Sequence, residues 1–400
     1  MTGTDYETIQ EEELEEGGGA FERTHTDGRV MFDARYIHSK ITGIGRYSYN
    51  VLRELLRLDD TLQFHLITHP SRPQPVDSPR VTCQPIGWDA FSPVARVALT
   101  ARLDFEGVDL FHSPFNILPA RIPVPSILTL HDIMWLVDPD YVASNLFERL
   151  FSAPFFKWAT EKSVEESEQI LTVSEHSREA IEEWFPDKSD RVSATYNAVD
   201  ESFRPVPPEQ GWPLLNKFLP PRSKFVLSVG AQSPYKNHEG ALEGFIEAFA
   251  DDPLVYYVLV QRHQYPPKGR LAELLNHPKV APRILRLEYV TDEELRALYS
   301  LAQAFLFPSL YEGFGLPILE AMTCGTPVVT SNRGAPAEVA GEAALTADPE
   351  DASEIAAALR RLFDEPGTWE QYRQAGFERV EDFNWERCAR VTLDAYRAIL

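Results

Sequence analysis

The segment of the sequence with the clearest chemical meaning is EGFGLPILE, which begins at Glu312 and ends at Glu320. Pro317 suits the first turn of a helix because it has no N–H to leave unpaired. Gly313 and Gly315 then precede that helix, where free backbone N–H groups and the helix dipole attract an anion. The flanking carboxylates could accept hydrogen bonds from sugar hydroxyls. The spacing alone is compatible with a phosphate-and-sugar site and equally with a plain strand–turn–helix carrying two surface glutamates.

A second candidate is the loop of residues 230–237, which follows an apolar run and contains Lys236, one of only nine lysines. A lysine in such a loop can pair with a diphosphate as a compact point charge. A solvated surface lysine is the alternative interpretation.

Two segments in the first half of the chain could also contact a phosphate or a sugar. Gly43 and Gly45 separate a predicted strand from a predicted helix, so their amides could approach a phosphate or a sugar closely. His131 follows an apolar run directly, and the carboxyl end of a parallel strand borders the ligand cleft. It could hydrogen-bond a sugar hydroxyl or a leaving group. A tight turn and a structural histidine are the alternative interpretations. Residues 174–177, SEHS, could supply either a helix cap or a hydroxyl in the cleft, and the cap is favoured.

Short apolar runs alternating with helical patterns predict parallel α/β sheets. The predicted strands cover residues 29–35, 63–68, 126–130, 169–173, 224–230, 254–260, 304–307 and 326–330. The predicted helices cover residues 46–58, 145–168, 239–250, 292–301 and 317–323. Residues 205–222 are rich in proline, which lacks an N–H donor, and are predicted to be a linker. The pattern therefore indicates two doubly wound domains hinged near residue 210, with ligands bound at the strand carboxyl ends.

The charge balance excludes some classes of partner. The chain has 61 acidic and 38 basic residues, a formal net charge of -23. A protein that binds nucleic acid in general needs cations to neutralise phosphates, so this class is disfavoured, as is broad adhesion to anionic lipid. Residues 1–28 hold nine acidic residues and one basic residue and are predicted to be a disordered tail.

The cysteines and the apolar runs argue against a disulfide-stabilised, a metal-binding or a membrane-spanning protein. Cys83, Cys324 and Cys388 are too scattered for a disulfide framework or a metal cluster. The sequence has no apolar run near the ~20 residues of a membrane helix. We expect a cytoplasmic protein, in contact with the inner membrane face only peripherally if at all.

The Glu312–Glu320 segment, followed by GTPVV at residues 325–329, resembles the family 4 retaining glycosyltransferases. The resemblance covers about residues 30–395 and includes further segments in the order usual for the family. These are GIGRY at 43–47, HD at 131–132, SEHS at 174–177, NAVD at 197–200, KN at 236–237 and FNW at 383–385. The resemblance implies the GT-B fold, in which two Rossmann-like domains with doubly wound parallel sheets face each other and a C-terminal helix crosses back to the first domain.

The implied domain organisation has five parts. An acidic tail (1–28) precedes an N-terminal acceptor domain (29–204), the proline-rich linker (205–222), a C-terminal nucleotide-sugar domain (223–382) and the returning helix (383–400).

The resemblance also implies residue roles. Glu312 is expected to contact the hydroxyls of the donor sugar, Lys236 to neutralise the departing diphosphate and His131 to touch the transferred sugar; these are the expected catalytic residues. Glu320 is expected at the ribose. The other implied donor-binding residues are Gly43, Gly45, Asn237, Val290, Gly313, Phe314 and Gly315. No metal site and no cofactor are expected, since the nucleotide sugar is itself the substrate.

One departure from the family pattern concerns the diphosphate. Family members commonly carry an arginine just after the glycine or just before the lysine, where this chain has Ala231 and Tyr235. One charged hydrogen bond of about 1.5–3 kcal/mol is then missing. Another arginine, for example Arg262, could substitute for it.

The expected activity is transfer of a hexose from a nucleoside-diphosphate sugar to a hydroxyl of a glycan or lipid-linked acceptor in polysaccharide biosynthesis. GDP-mannose is the first donor expected, because the GIGRY and HD segments look like bacterial polysaccharide mannosyltransferases, and UDP-glucose is the second. A nucleotide-sugar epimerase and a catalytically weakened donor-binding scaffold are the alternatives.

Overall fold

The computed structural model describes residues 28–38, 43–90, 92–142, 148–261 and 266–400. The predicted acidic tail, apart from Gly28, and the substitute Arg262 lie outside these residues. Within them, two parallel sheets form two domains of the doubly wound type.

The N-terminal domain is built on a sheet whose described strands run β3-β2-β1-β4-β5-β6-β7, all parallel. The strands are β1 Arg29–Asp33, β2 Gln63–Thr68, β3 Val81–Pro85, β4 Leu110–Ser113, β5 Ser126–Thr129, β6 Gln169–Thr172 and β7 Val192–Ala194. The helices are α1 Gly43–Leu58, α2 Pro93–Ala98, α3 Met134–Val137, α4 Ala153–Glu166 and α5 Glu175–Trp184.

The C-terminal domain repeats this arrangement in the order β10-β9-β8-β11-β12-β13. Its strands are β8 Lys224–Val229, β9 Val255–Val260, β10 Ile284–Leu287, β11 Ala304–Phe307, β12 Val328–Ser331 and β13 Leu345–Ala347. The remaining helices are α6 Pro208–Leu215, α7 His238–Phe249, α8 Gly269–Leu275, α9 Asp292–Leu301, α10 Leu316–Thr323, α11 Gly334–Ala340, α12 Ala352–Asp364, α13 Thr368–Val380 and α14 Trp385–Arg397.

The strand order reverses direction once in each sheet, between β1 and β4 and between β8 and β11. The loops that leave neighbouring strands at such a switch point diverge to opposite faces and open a crevice at the carboxyl ends. The central strands are buried on both faces: β4, β5, β11 and β12 have no exposed residue. The apolar runs in the sequence are therefore the sheet centres, and the loops after them line the two crevices.

Three segments differ from the sequence-based expectation. Of the helix predicted at 145–168, residues 145–147 lie outside the described residues, and the regular α-helix α4 spans only Ala153–Glu166. Residues 205–222 contain α6, which starts at Pro208 because a proline at the first helical position loses no hydrogen bond. This helix packs on α9, and Gly211 lies so close to Leu301 that a Cβ would be 2.8 Å from its side chain. The helix predicted to start near Arg46 begins at Gly43, so Gly43 and Gly45 form its first turn rather than a loop.

The last helix, α14, packs against α1 of the N-terminal domain. A buried hydrogen-bond chain fixes this contact. His112 Nδ1 is 2.7 Å from the Tyr396 hydroxyl, His112 Nε2 is 2.8 Å from Thr129 Oγ1, and that hydroxyl is 3.2 Å from the Tyr47 hydroxyl. Helix α14 is thus tied to the buried core of the N-terminal domain.

Candidate functional site

The loops after β8 and β11 bring Lys236 and Glu312 together at the switch point of the C-terminal sheet. Lys236 Nζ donates a hydrogen bond to Glu312 Oε1 at 2.6 Å, and each side chain is only 11% exposed. The ammonium also lies 4.7 Å from the ring centre of Phe307 and 5.1 Å from that of Tyr235. Burial alone would lower the pKa of Lys236, but the facing carboxylate outweighs it, so the pKa is raised and the lysine is charged.

Glu320 lies about one turn into α10 and forms a second acidic position beside this pair. Tyr299 donates its hydroxyl to Glu320 Oε2 at 2.9 Å. Burial raises the pKa of Glu320, while the charge of Arg46, which comes from α1 of the other domain, lowers it. The Arg46 guanidinium also lies 5.5 Å from the ring of Phe203 and 3.9 Å from Asp292. The N-terminal domain therefore places an arginine near the predicted ribose carboxylate.

Gly313 and Gly315 are required by geometry at the start of α10. Gly315 precedes the helix with φ +115°, a backbone conformation that suits glycine. A Cβ on Gly313 would lie 2.2 Å from the carbonyl oxygen of His131, so the two domains approach each other closely here. Phe314, between them, is 4% exposed and packs edge-on against Phe383 at 5.7 Å. Its side chain belongs to the core, and only its backbone can face a ligand.

His131 lies at the carboxyl end of β5, with its ring already engaged. Nε2 is 3.0 Å from the carbonyl oxygen of Pro114, which can only accept, so Nε2 carries the proton. The ring packs edge-on against Tyr47 at 4.9 Å, and burial lowers the pKa of His131 to about 4. The imidazole is neutral near pH 7, which fits a contact to sugar through Nδ1 and opposes a role as a proton donor from an imidazolium.

Asn237, predicted to bind the donor, has a side chain that is hydrogen-bonded within the fold. Its backbone is left-handed (φ 51°), Oδ1 accepts from the N–H of Gly240 at 3.1 Å, and Nδ2 donates to the carbonyls of Pro308 and Pro349. The side chain caps α7 and joins three loops, so its polar atoms are already used within the fold. It holds the adjacent Lys236 in position.

The remaining predicted positions are Gly43 and Gly45 in the first turn of α1 and Val290 before α9. Gly43 has no atom within 4 Å of a Cβ built on it, and Gly45 is buried in the same helical turn. Val290 lies between β10 and α9 and packs against the core. Thr291 caps α9 in a reciprocal capping box with Glu294, which fixes the loop that carries Val290.

Sequence reasoning missed the contact between α5 and the C-terminal domain. Ser174 does cap α5, accepting from the N–H of Ser177 at 3.0 Å, but both serine hydroxyls also donate to the carbonyl of Gly313, at 2.7 and 3.0 Å. The Glu338 carboxylate of α11 accepts from the backbone N–H groups of Glu175 and His176, both at 2.8 Å. The cap motif was visible in the sequence; its partners, 136 to 163 residues away, were not.

Neither a metal cluster nor a membrane-spanning helix is found in the part of the chain that the structure describes. There, no group of three or more His, Cys, Asp or Glu side chains is arranged to hold a metal ion. No described helix is long and apolar enough to cross a membrane.

Two family models match the chain, one on each domain. The model described as glycosyltransferase family 4 matches residues 41–203, and the model described as glycosyl transferases group 1 matches residues 216–379. The O-antigen chain mannosyltransferase B of Escherichia coli is 30% identical over 390 residues, which cover 93% of this chain and 100% of that protein. The MMP alpha-(1->4)-mannosyltransferase of Mycolicibacterium hassiacum is 39% identical over 134 residues, covering 32% of this chain and 33% of that protein.

Solved structures share the fold. Sucrose-phosphate synthase from Thermosynechococcus elongatus aligns with a TM-score of 0.69 at 22% identity, covering 93% of this chain and 98% of that one. WaaG, a glycosyltransferase involved in lipopolysaccharide biosynthesis, aligns with a TM-score of 0.69 at 14% identity, covering 91% and 98%. The predicted GT-B architecture is confirmed. With both domains matched and one relative similar along its whole length, this chain belongs to the family 4 retaining glycosyltransferases of the GT-B fold.

Proposed function

We propose that this glycosyltransferase moves mannose from GDP-mannose to a hydroxyl of a growing polysaccharide. The observation that carries the proposal is the Lys236–Glu312 pair, which faces the His131 segment of the other domain across Gly313. The mannosyltransferases of Escherichia coli and Mycolicibacterium hassiacum support the choice of sugar. An Anabaena relative of 16% identity and TM-score 0.68, solved with UDP-glucose, keeps that donor as the second candidate.

The donor diphosphate would replace Glu312 as the partner of Lys236. The freed carboxylate would then accept hydrogen bonds from the sugar hydroxyls, while the ribose would lie at Glu320. The amides of Gly313, Phe314 and Gly315 would face the phosphate and the sugar at the amino end of α10. Each charge keeps a partner before and after binding, which limits the desolvation cost of the site.

In the transfer step, the bond between sugar C1 and the β-phosphate oxygen breaks, and its electron pair leaves with the diphosphate. The acceptor oxygen bonds to C1 on the same face, which retains the anomeric configuration, and its proton passes to the departing phosphate. Lys236 stabilises the charge that develops on that phosphate, which is the largest electrostatic demand of the reaction. His131, neutral near pH 7, would orient a hydroxyl of the transferred sugar.

The proposed acceptor is a glycan or its lipid-linked form, which would bind to the N-terminal domain. With a net charge of -23, the chain would meet an anionic membrane at most through a local contact. The epimerase alternative has no support among the relatives, which are transferases.

The test uses the full chain with GDP-mannose, UDP-glucose and other nucleotide sugars, each with and without mannose-terminated oligosaccharides. We expect GDP release from GDP-mannose that depends on acceptor, and a product whose new linkage is α by NMR. Preferential turnover of UDP-glucose would replace the donor assignment. An isomerised nucleotide sugar formed without acceptor would overturn the transferase mechanism, and donor binding without turnover would indicate a scaffold.

A further inference from the structure

The amino end of α5, in the N-terminal domain, holds two separate parts of the C-terminal domain. The Glu338 carboxylate accepts from two backbone N–H groups there, one to each oxygen. The hydroxyls of Ser174 and Ser177 donate to the carbonyl of Gly313, in the loop of the donor site. One helix end therefore contacts both α11 and the residue next to Glu312.

This contact is well matched in charge. The first N–H groups of a helix lack partners inside the helix, and the helix dipole gives that end a partial positive charge. A carboxylate that takes two such N–H groups forms charge-assisted hydrogen bonds, which are stronger than neutral ones. Glu338 thus satisfies α5 across the domain boundary, as a capping residue of the helix itself would.

Two further side chains support Glu338. Tyr196 follows β7 with a left-handed backbone (φ 56°), which is unfavourable for a bulky residue. Burial and the nearby charge of Glu338 raise the pKa of Tyr196 to about 12, so its hydroxyl is neutral beside the carboxylate. Arg379 of α13 donates to the carbonyls of Glu338 and Val339 at 2.7 and 3.0 Å, which fixes the end of α11. Backbone strain of this kind concentrates at clamps and switches.

We propose that Glu338 is a positioning residue that holds the two domains together in the donor-binding arrangement. It acts through α5: with Glu338 bound, the two serines keep Gly313 against His131, and Glu312 faces the other domain. Glu338 does not touch the donor. The inference deepens the proposed function, because it assumes that the donor binds between Glu312 and the N-terminal domain.

The proposal makes a kinetic distinction. Loss of Glu338 lowers the fraction of molecules in the bound arrangement, and the apparent affinity for donor falls by that fraction. Saturating donor restores the arrangement, so kcat is retained. We expect Glu338→Ala to raise the KM for donor roughly 10- to 100-fold with kcat within about threefold of wild type.

The experiment compares Glu338→Ala with Glu342→Ala, an exposed glutamate on the turn after α11. Small-angle X-ray scattering without ligand, hydrogen exchange at the Glu175 and His176 amides, and calorimetric binding of GDP are measured for both. In Glu338→Ala we expect a larger radius of gyration, faster exchange at those two amides and weaker GDP binding. Glu342→Ala should behave as wild type.

Ser177→Ala and Glu338→Gln supply independent checks. Ser177→Ala removes one bond to Gly313 and leaves the Ser174 cap, so it should weaken GDP binding in the same direction. In the double variant Ser177→Ala/Glu338→Ala, the loss of GDP affinity should be smaller than the sum of the two single losses. Both substitutions shift the same equilibrium between the joined and the separated domains. Glu338→Gln keeps one acceptor oxygen and should be intermediate.

An unchanged radius of gyration in Glu338→Ala, or a loss of kcat at unchanged KM, would overturn the proposal. A fall in thermal stability with unchanged scattering would also overturn it, since Glu338 would then act within its own domain. If wild type binds neither GDP nor GDP-mannose, the donor assignment fails, whereas scattering and hydrogen exchange still decide whether Glu338 joins the domains.

Discussion

The ammonium of Lys236 lies 2.6 Å from the carboxylate of Glu312, although 76 residues separate them in the chain. Both side chains are largely buried, where an unpaired charge is costly and a paired one is tolerated. An anionic diphosphate can take the place of the carboxylate without leaving Lys236 unpaired. The pair therefore holds the lysine charged and ready while the donor is absent.

Glu312→Ala should lower kcat/KM by about 100-fold or more, equivalent to ~2.7 kcal/mol, because the sugar hydroxyls lose their acceptor. Steady-state transfer kinetics and thermal melting by circular dichroism measure this. Glu247→Ala, an exposed position of α7, is the matched control. Near-normal turnover of a folded Glu312→Ala would remove the residue from the mechanism.

Lys236→Met should weaken binding of GDP by about 10- to 100-fold, since one charged hydrogen bond to a phosphate contributes ~1.5–3 kcal/mol. Isothermal titration calorimetry gives the affinity. The exposed Lys279, which pairs with Asp251 at 2.7 Å, supplies the control variant Lys279→Met. Equal affinities of the two variants would show that Lys236 does not meet the diphosphate.

Arg46→Gln should weaken donor binding about tenfold, because Arg46 is an arginine of the other domain whose charge acts on Glu320. It is the candidate for the arginine missing at Ala231 and Tyr235. Binding of GDP-mannose is compared with that of Arg270→Gln, whose arginine pairs with Glu243 on the surface at 2.8 Å. Unchanged affinity would leave the missing arginine uncompensated by Arg46.

Gly313→Ala should abolish most transfer activity, because its Cβ would lie 2.2 Å from the His131 carbonyl and must push the domains apart. Gly87→Ala is the matched change: its Cβ meets only Pro70, at 3.7 Å. Activity and small-angle scattering are measured for both. An active Gly313→Ala of wild-type dimensions would refute the close approach of the domains.

Stability should fall as the pH drops below about 6.5. Burial lowers the pKa of His112 to about 3 and those of His131 and His238 to about 4. Between these values and about pH 6.5 the unfolded chain is therefore protonated at three histidines that stay neutral in the native protein. In the pH range where a histidine is protonated in the unfolded chain but not in the native protein, it changes the free energy of unfolding by about 1.4 kcal/mol per pH unit.

Urea unfolding between pH 7 and pH 5 measures this dependence. His112→Gln, which does not titrate, should show a slope smaller by about one proton at the acid end. Identical slopes for this variant and wild type would contradict the lowered pKa of His112.

Much of the architecture could be predicted from the sequence because local patterns of apolar residues and turn residues determine where its strands and helices lie. The strands at 63–68 and 304–307 and the helix at 292–301 agree with the structure residue for residue. Each is an apolar or amphipathic run bounded by turn residues or a capping threonine, so no distant contact was needed. The helix within residues 205–222 was not predicted, because prolines suit the first turn of a helix as well as a linker.

The chain itself determined its two domains, the loop of Glu312 to Gly315 and the lysine that follows β8, since glycine, proline and apolar periodicity act over a few residues. Only the tertiary structure decided which charges meet. Lys236 contacts Glu312 because the strands that precede them, β8 and β11, are neighbours at the switch point. The side chain of Asn237 instead hydrogen-bonds to the loops that contain Pro308 and Pro349. Glu338 accepts hydrogen bonds at the amino end of α5 because the two domains face each other. Contacts between such distant segments depend on strand order and domain packing, which local sequence patterns do not encode.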